Sequence, residues 1–214
     1  MLKDIIIFSL FIISLPVQVF GQSQIEDREF EIIIKSSINI SMLGEFKNSS
    51  YHISSYSPFM KIVRIRIHMK SNSPNAKILD PNKLYLISNE LKQRFRPTDL
   101  QYRLYLNNYI GSKRLTSDSI MSDGSSKGWL GDVSYIRYDP KIRDTFKDYS
   151  IPGYQDSEFE VNYGSINKPQ SVIVYFDHKE ISSCVIDIYF MVPKSLIEGE
   201  LYFGNKRVNQ CSFD

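Results

Sequence analysis

The sequence predicts an all-β protein built from two packed antiparallel sheets. Three observations lead there. Apolar residues recur at every second position in one short run after another, the period of a half-buried strand. Those runs are rich in β-branched and aromatic residues and are separated by Pro, Gly, Asn and Ser. No long stretch carries the stripe of an amphipathic helix. Sheets that bury one face and wet the other account for the alternation. A closed barrel gives the same pattern, but uneven strand lengths and connections of very different size favour two layers.

Along the chain, Phe30, Ile32 and Ile34 alternate with Glu31 and Lys35, and Ile38, Ile40 and Met42 alternate with Asn39 and Ser41. In "FMKIVRIRIHMKSNSP" (59–74), Val63, Ile65, Ile67 and Met69 form the core side of a strand. Arg64, Arg66, His68 and Lys70 then stand together on its other side. Leu100, Tyr102, Leu104 and Leu106 make a further strand. Residues 111–153 are the least regular region, with "SDSIMSDGSSKGWLGD" and the sole tryptophan, Trp129. A short helix is expected inside it at "DPKIRDTFKDY", with Asp139 as cap and Pro140 in the first turn. Phe159, Val161 and Tyr163 share a face, as do Val172, Val174 and Phe176, and then Cys184, Ile186, Ile188, Phe190 and Val192. If the chain turns back through "PKSLIEGE" as a hairpin, Cys184 falls opposite Cys211. The phase of that last strand is awkward, because the face of Leu201 and Phe203 carries forward through Arg207. A bulge or extra turn near Gly204-Asn205 would reset it.

The amino terminus reads as a secretory signal. A short charged start is followed by an apolar run from Ile5 to Val19, and a cut after Gly21 leaves Gln22 first. The run is short for the ~20 residues of a spanning helix. Its brevity and the Phe-Gly-Gln ending read as bacterial, and no Cys near the cut suggests a lipoprotein. The expected organisation is a signal peptide over 1–21 and one domain over 22–214, exported to the periplasm or beyond, with no transmembrane segment after cleavage. Lys and Arg total 26 against 24 Asp and Glu, a formal charge of +2. That balance lacks the basic excess of a nucleic-acid or membrane-surface protein.

Signals for chemistry are sparse. In an oxidising compartment Cys184 and Cys211 read first as a disulfide, with two buried thiols as the alternative. Loop entropy would make the bond worth ~3.5 kcal/mol. The row Arg64, Arg66, His68 reads mainly as the solvated side of a strand, neutralised by acids such as Glu31, Glu158 or Glu160; the sharper reading is a stripe for an anionic ligand. His52, His68 and His178 are the only histidines, in no H-E-x-x-H pattern, and no G-x-S-x-G elbow occurs. His178 in "FDHKE" is half of an acid–base or metal site, or simply a strand-end turn. Asp118, Asp123 and Asp132 around Trp129 suggest calcium only loosely, since the spacing fails the EF-hand pattern. Trp129 either plugs the end of a sandwich or stacks on a ligand. Asn39-Ile-Ser41, Asn48-Ser-Ser50 and Asp118-Ser119-Ile120 are short glycosylation-like tripeptides.

"LDPNKLYLISNELKQRFRPTDLQ", with "MKIVRIRIHMKSNSP" before it and "VIVYFD" and "VIDIYFMVPKSLIEGELYF" after it, resembles uncharacterised bacterial secreted domains with immunoglobulin-like folds. The likeness covers residues 59–106 and 170–203. The chain departs from the group in lacking a lipoprotein cysteine and in its insertion around Trp129. The resemblance implies an immunoglobulin-like sandwich and carries over no catalytic residues. The expectation is therefore a non-enzymatic envelope protein without cofactor or metal, whose partner is another envelope protein or a surface glycan. Trp129 and the row Arg64, Arg66, His68 are the first recognition candidates. The alternative is a hydrolase whose site assembles only in three dimensions.

Overall fold

The computed structural model describes residues 25–26, 29–41, 45–47, 52–54, 58–103, 112–116, 145–157, 162–163, 172–176 and 178–213. They form an all-β structure with one short 3-10 turn at Pro81–Lys83. The strands of the first half are β1 (Ile25–Glu26), β2 (Phe30–Ser41), β3 (Glu45–Lys47), β4 (His52–Ser54), β5 (Met60–Ser71), β6 (Lys77–Leu79), β7 (Leu84–Ser88), β8 (Gln93–Phe95) and β9 (Asp99–Arg103). Then come β10 (Ser112–Thr116), β11 (Gln155–Ser157), β12 (Asn162–Tyr163), β13 (Val172–Phe176) and β14 (Lys179–Ile181). The last three are β15 (Ser183–Pro193), β16 (Glu198–Phe203) and β17 (Lys206–Ser212).

Two five-stranded sheets dominate, ordered β1-β2-β5-β15-β9 and β11-β8-β7-β16-β17. Pairing is antiparallel throughout both, except that β11 runs parallel to β8. β10 pairs with β13, β4 with both β12 and β3, and β14 with β6. One buried cluster draws on both large sheets: Val63, Ile65, Ile67 and Met69 from β5, Ile186, Ile188 and Phe190 from β15, Leu84 and Leu86 from β7, and Leu201 and Phe203 from β16. The β5 alternation read from sequence is thus the core alternation, with all four of its apolar residues at 0% exposure. The sheets are also fastened at one edge, where Ser37 Oγ of β2 donates to the Ser212 carbonyl of β17 at 2.7 Å.

Bulges shift what simple alternation predicts. In β2 the register skips between Ile34 and Ser36, leaving Lys35 unpaired and reversing the phase beyond it. Ile38 therefore lies opposite Arg64 on the outer side, 37% exposed, while Asn39 takes the position opposite Val63. In β17 the pairing jumps from Leu201↔Asn209 to Tyr202↔Arg207. Val208 is the extra residue, and both Val208 and Cys211 turn inward. The tight β16–β17 turn has Gly204 at φ +61, where a side chain would be strained and would meet the Tyr149 hydroxyl at 3.3 Å.

"PKSLIEGE" is not a hairpin. β15 pairs with β5 and β9 in the first sheet, whereas β16 pairs with β7 and β17 in the second, so the segment carries the chain between sheets. Apolar alternation fixes which face of a strand is buried but not which strand lies beside it. The expected helix at 139–149 resolves, within its described part, into a turn: Asp148 N–H bonds to the Thr145 carbonyl and Tyr149 N–H to that of Phe146, each at 3.3 Å. The leader, Leu104, Leu106, Phe159 and Val161 lie outside the described residues, as does the irregular region 111–153 apart from 112–116 and 145–153.

Candidate functional site

The basic row sits on a central strand, and its surroundings are more enclosed than the sequence suggested. Arg66 faces Asp187 directly across the β5–β15 pairing. Arg66 Nε donates to Asp187 Oδ1 at 2.6 Å and Nη2 to Oδ2 at 3.1 Å, a two-pronged charge-assisted contact. The Asp187 side chain is 0% exposed and that of Arg66 26%. That hydrogen bond, together with the carboxylate charge, raises the Arg66 guanidinium above its ordinary value against the desolvation. His68 Nε2 shares a 2.9 Å hydrogen bond with Ser183 Oγ. Lys70 lies in register with Glu31, one of the acids expected to balance the row; Glu158 and Glu160 are outside the described residues. Arg64 is half-buried between Ile38 and Tyr189, with its Nε unpartnered among the described residues. Arg64, Arg66 and His68 are thus half-buried and Lys70 exposed, with Arg66 neutralised by Asp187.

A second polar and aromatic assembly covers the outer side of the second sheet, and sequence reading did not anticipate it. Phe95 faces the core, so its neighbour Arg94 points outward, yet Arg94 is only 2% exposed. The segment 145–157 packs over it. Arg94 Nε and Nη2 donate to the two carboxylate oxygens of Asp156 at 2.7 and 2.9 Å, and Nη1 donates to the Phe146 carbonyl at 3.2 Å. The guanidinium groups of Arg94 and Arg96 lie 3.9 and 4.4 Å from the Phe146 ring centroid. Burial opposes ionisation of Asp156. The Arg94 hydrogen bonds and the charges of Arg94, Lys147 and Arg96 outweigh it and hold the carboxyl below its usual range. Beside this pair, Tyr85 is stacked with Tyr202 at 5.4 Å and 12° and donates its hydroxyl to the Gly204 carbonyl. Burial pushes the Tyr85 phenol up to about 12.

His178 does meet a carboxylate, that of Asp80, far from it in sequence. Its Nε2 lies 3.5 Å from Asp80 Oδ1, with the imidazole 57% exposed. That oxygen also accepts from the Asn82 backbone N–H at 3.0 Å and from Asn82 Nδ2 at 2.9 Å, capping the 3-10 turn. Asn82 in turn donates to the Phe176 carbonyl and accepts from its N–H, both at 2.9 Å. Asp80 and Asn82 thereby fasten the 3-10 turn to β13, and His178 rests on the outside of that joint. Nearby, Tyr102 is 2% exposed, its hydroxyl has no partner among the described residues, and burial holds the phenol neutral far above its ordinary range.

The expected disulfide is absent: Cys184 and Cys211 are free and buried. The physical reason is register. Cys184 lies level with Met69 and Ile32. The Ser37–Ser212 hydrogen bond sets Cys211 beside the row Ser37–Ile65–Ile188, in the other sheet. Four residues of β15 separate the two levels, roughly 13 Å of strand at the usual rise. A disulfide spans Cα atoms less than ~7 Å apart. Burial pushes both thiols up to about 12, which leaves them inert as nucleophiles.

Trp129 and the acids Asp118, Asp123 and Asp132 lie outside the described residues, as does the side chain of His52. Among the described residues no cluster of three or more His, Cys, Asp or Glu side chains could hold a metal ion, and no helix is long and apolar enough to cross a membrane. Compared with protein-family models, curated proteins and solved structures, the chain matches none.

Proposed function

We propose that the chain is an exported, non-enzymatic binding protein of the bacterial cell envelope, built as an immunoglobulin-like β-sandwich. The apolar leader supports export. Two five-stranded sheets that feed one core cluster support the sandwich, and the crossover between β15 and β16 supports its two-layer wiring.

One observation carries the binding reading. Several carboxylates and both thiols among the described residues are taken up by the framework. Asp187 holds Arg66, Asp156 holds Arg94, and Asp80 caps a turn. Both thiols are sealed in the core. Committed carboxylates and protonated thiols fix a scaffold; they do not leave a base or nucleophile poised for substrate. Recognition then falls to exposed surface and to the insertion that holds Trp129.

The test is photo-crosslinking of the protein in its native cell, followed by mass spectrometric identification of the adducts. The expected adducts are envelope proteins or surface glycans. Recovery of cytoplasmic partners alone, or turnover of a hydrolysable substrate by the purified chain, would overturn the reading.

A further inference from the structure

We propose that the side of the sandwich formed by β2 and β17 is built to refuse strand pairing with a second copy of this chain. The inference goes beyond the binding reading, since it concerns how the protein stays single whatever it binds.

Both large sheets present a long strand on this side. β17 closes the second sheet with 7 residues. In the first sheet β1 covers only Glu31 and Ile32 of the 12-residue β2. From Ile33 onward β2 therefore has no outer neighbour strand among the described residues. The hydrogen bond from Ser37 to Ser212 places the two strands next to each other. A long regular edge offers a row of main-chain donors and acceptors, a template on which further strands assemble.

Neither strand is left regular. β2 skips register between Ile34 and Ser36, which sets the exposed Lys35 on the edge as the extra residue, and it skips again between Asn39 and Ser41. β17 carries the Val208 bulge. A bulge adds a residue for which a straight incoming strand has no counterpart, and it sharpens the local twist, so pairing cannot propagate past it. Lysine on an edge adds a further cost, because pairing would carry its ammonium out of water. Side chains also occupy main-chain groups along β17. Gln210 N–H donates to Asn209 Oδ1 at 2.9 Å, and the Ser212 carbonyl accepts from Ser37 Oγ at 2.7 Å. A strand arriving there would have to displace Asn209 and Ser37 before it reached those groups. Bulges, a charge and side-chain caps on one side all answer the same physical problem. A partner that meets this side is recognised by side chains rather than by an added strand.

The test follows the purified chain and two variants by sedimentation velocity across a concentration series, with amide hydrogen exchange to locate any contact. Deletion of Lys35 keeps the pairs on either side of the skip and straightens β2. Asn209→Val frees the Gln210 N–H and introduces a strong strand former. The expected wild type sediments at the monomer mass, with exchange along β2 and β17 independent of concentration. The variants should shift to the dimer mass or beyond, most when combined, with new protection confined to those two strands. Wild-type association that protects β2 or β17 overturns the proposal. So does a folded combined variant that stays monomeric over the same concentrations. Asn209→Val alters a single half-buried side chain, so it decides the matter if the Lys35 deletion fails to fold.

Discussion

On the first sheet Asp187 is 0% exposed while Arg66 keeps 26% of its side chain in water; on the second, Arg94 is 2% exposed and Asp156 31%. Both pairs are two-pronged arginine–carboxylate contacts on an outer sheet face, built with opposite burial. The difference follows from where each buried charge sits. Asp187 sits inside a β-ladder, directly opposite Arg66 on the adjacent strand. Arg94 sits under a folded-over segment and has, besides Asp156, a backbone carbonyl and the faces of Phe146 and Tyr85. An outer face of a sheet is therefore not automatically a wet face.

The comparison predicts that the first pair fails harder when its exposed partner is removed. Arg66→Ala removes both hydrogen bonds that the buried Asp187 carboxylate accepts from the guanidinium, and breaking a buried pair in this way costs ~3–5 kcal/mol. Partial access of water around Arg66 favours the lower end, about 3 kcal/mol. Chemical denaturation of the single variant measures it. The double variant Arg66→Met with Asp187→Leu leaves no charge behind and should restore most of the loss, since apolar replacements of buried pairs are often neutral or better. A double variant as unstable as the single one would mean that the ladder geometry, rather than the loss of the Arg66 counter-charge, sets the cost.

Asp156→Ala is the counterpart on the second sheet, and a smaller loss of about 2 kcal/mol is expected. Arg94 keeps the Phe146 carbonyl and its aromatic contacts, and Asp156 was partly hydrated to begin with. Because Asp156 anchors β11 and the segment 145–157, limited proteolysis should cut that segment faster in the variant while the β5–β15 ladder stays protected. Equal losses for Asp156→Ala and Arg66→Ala would erase the distinction between the two faces.

Much of this fold was legible in the sequence, and the failures share a cause. Core faces of β5 and β15 followed from alternation alone, because half-buried strands must alternate. Ile38 was misassigned because the unpaired Lys35 leaves no mark in the apolar pattern. The Val208 bulge did leave one, as the phase conflict between Leu201 and Cys211. Asp187 was visible as a single acid inside "CVIDIYFMV", a position that asks for a partner. Arg94 and Asp156 lie 62 residues apart, and nothing local connects them. Strand neighbours are long-range facts as well, which is why Cys184 and Cys211 were matched across a hairpin that the fold does not contain. Tyr202 and Arg207 become neighbours only through the register of β16 and β17.

The smallest expected effect is acid sensitivity of the second pair. In the folded chain the Asp156 carboxyl titrates below its ordinary value near 3.8. A depressed folded value means that ionisation stabilises the fold. The contribution is fully present above the ordinary carboxylate range and is lost as pH falls through the lower folded value. Stability measured from pH 6 down to pH 2 should therefore fall more steeply in the wild type than in Asp156→Asn, with the two curves converging once the carboxyl is protonated. Because Asp156 is partly exposed, added salt should shrink the gap. If the curves instead ran parallel across the acid limb, Asp156 would be holding Arg94 by shape and hydrogen bonding alone. The contrast between the two faces would then be one of packing rather than of charge.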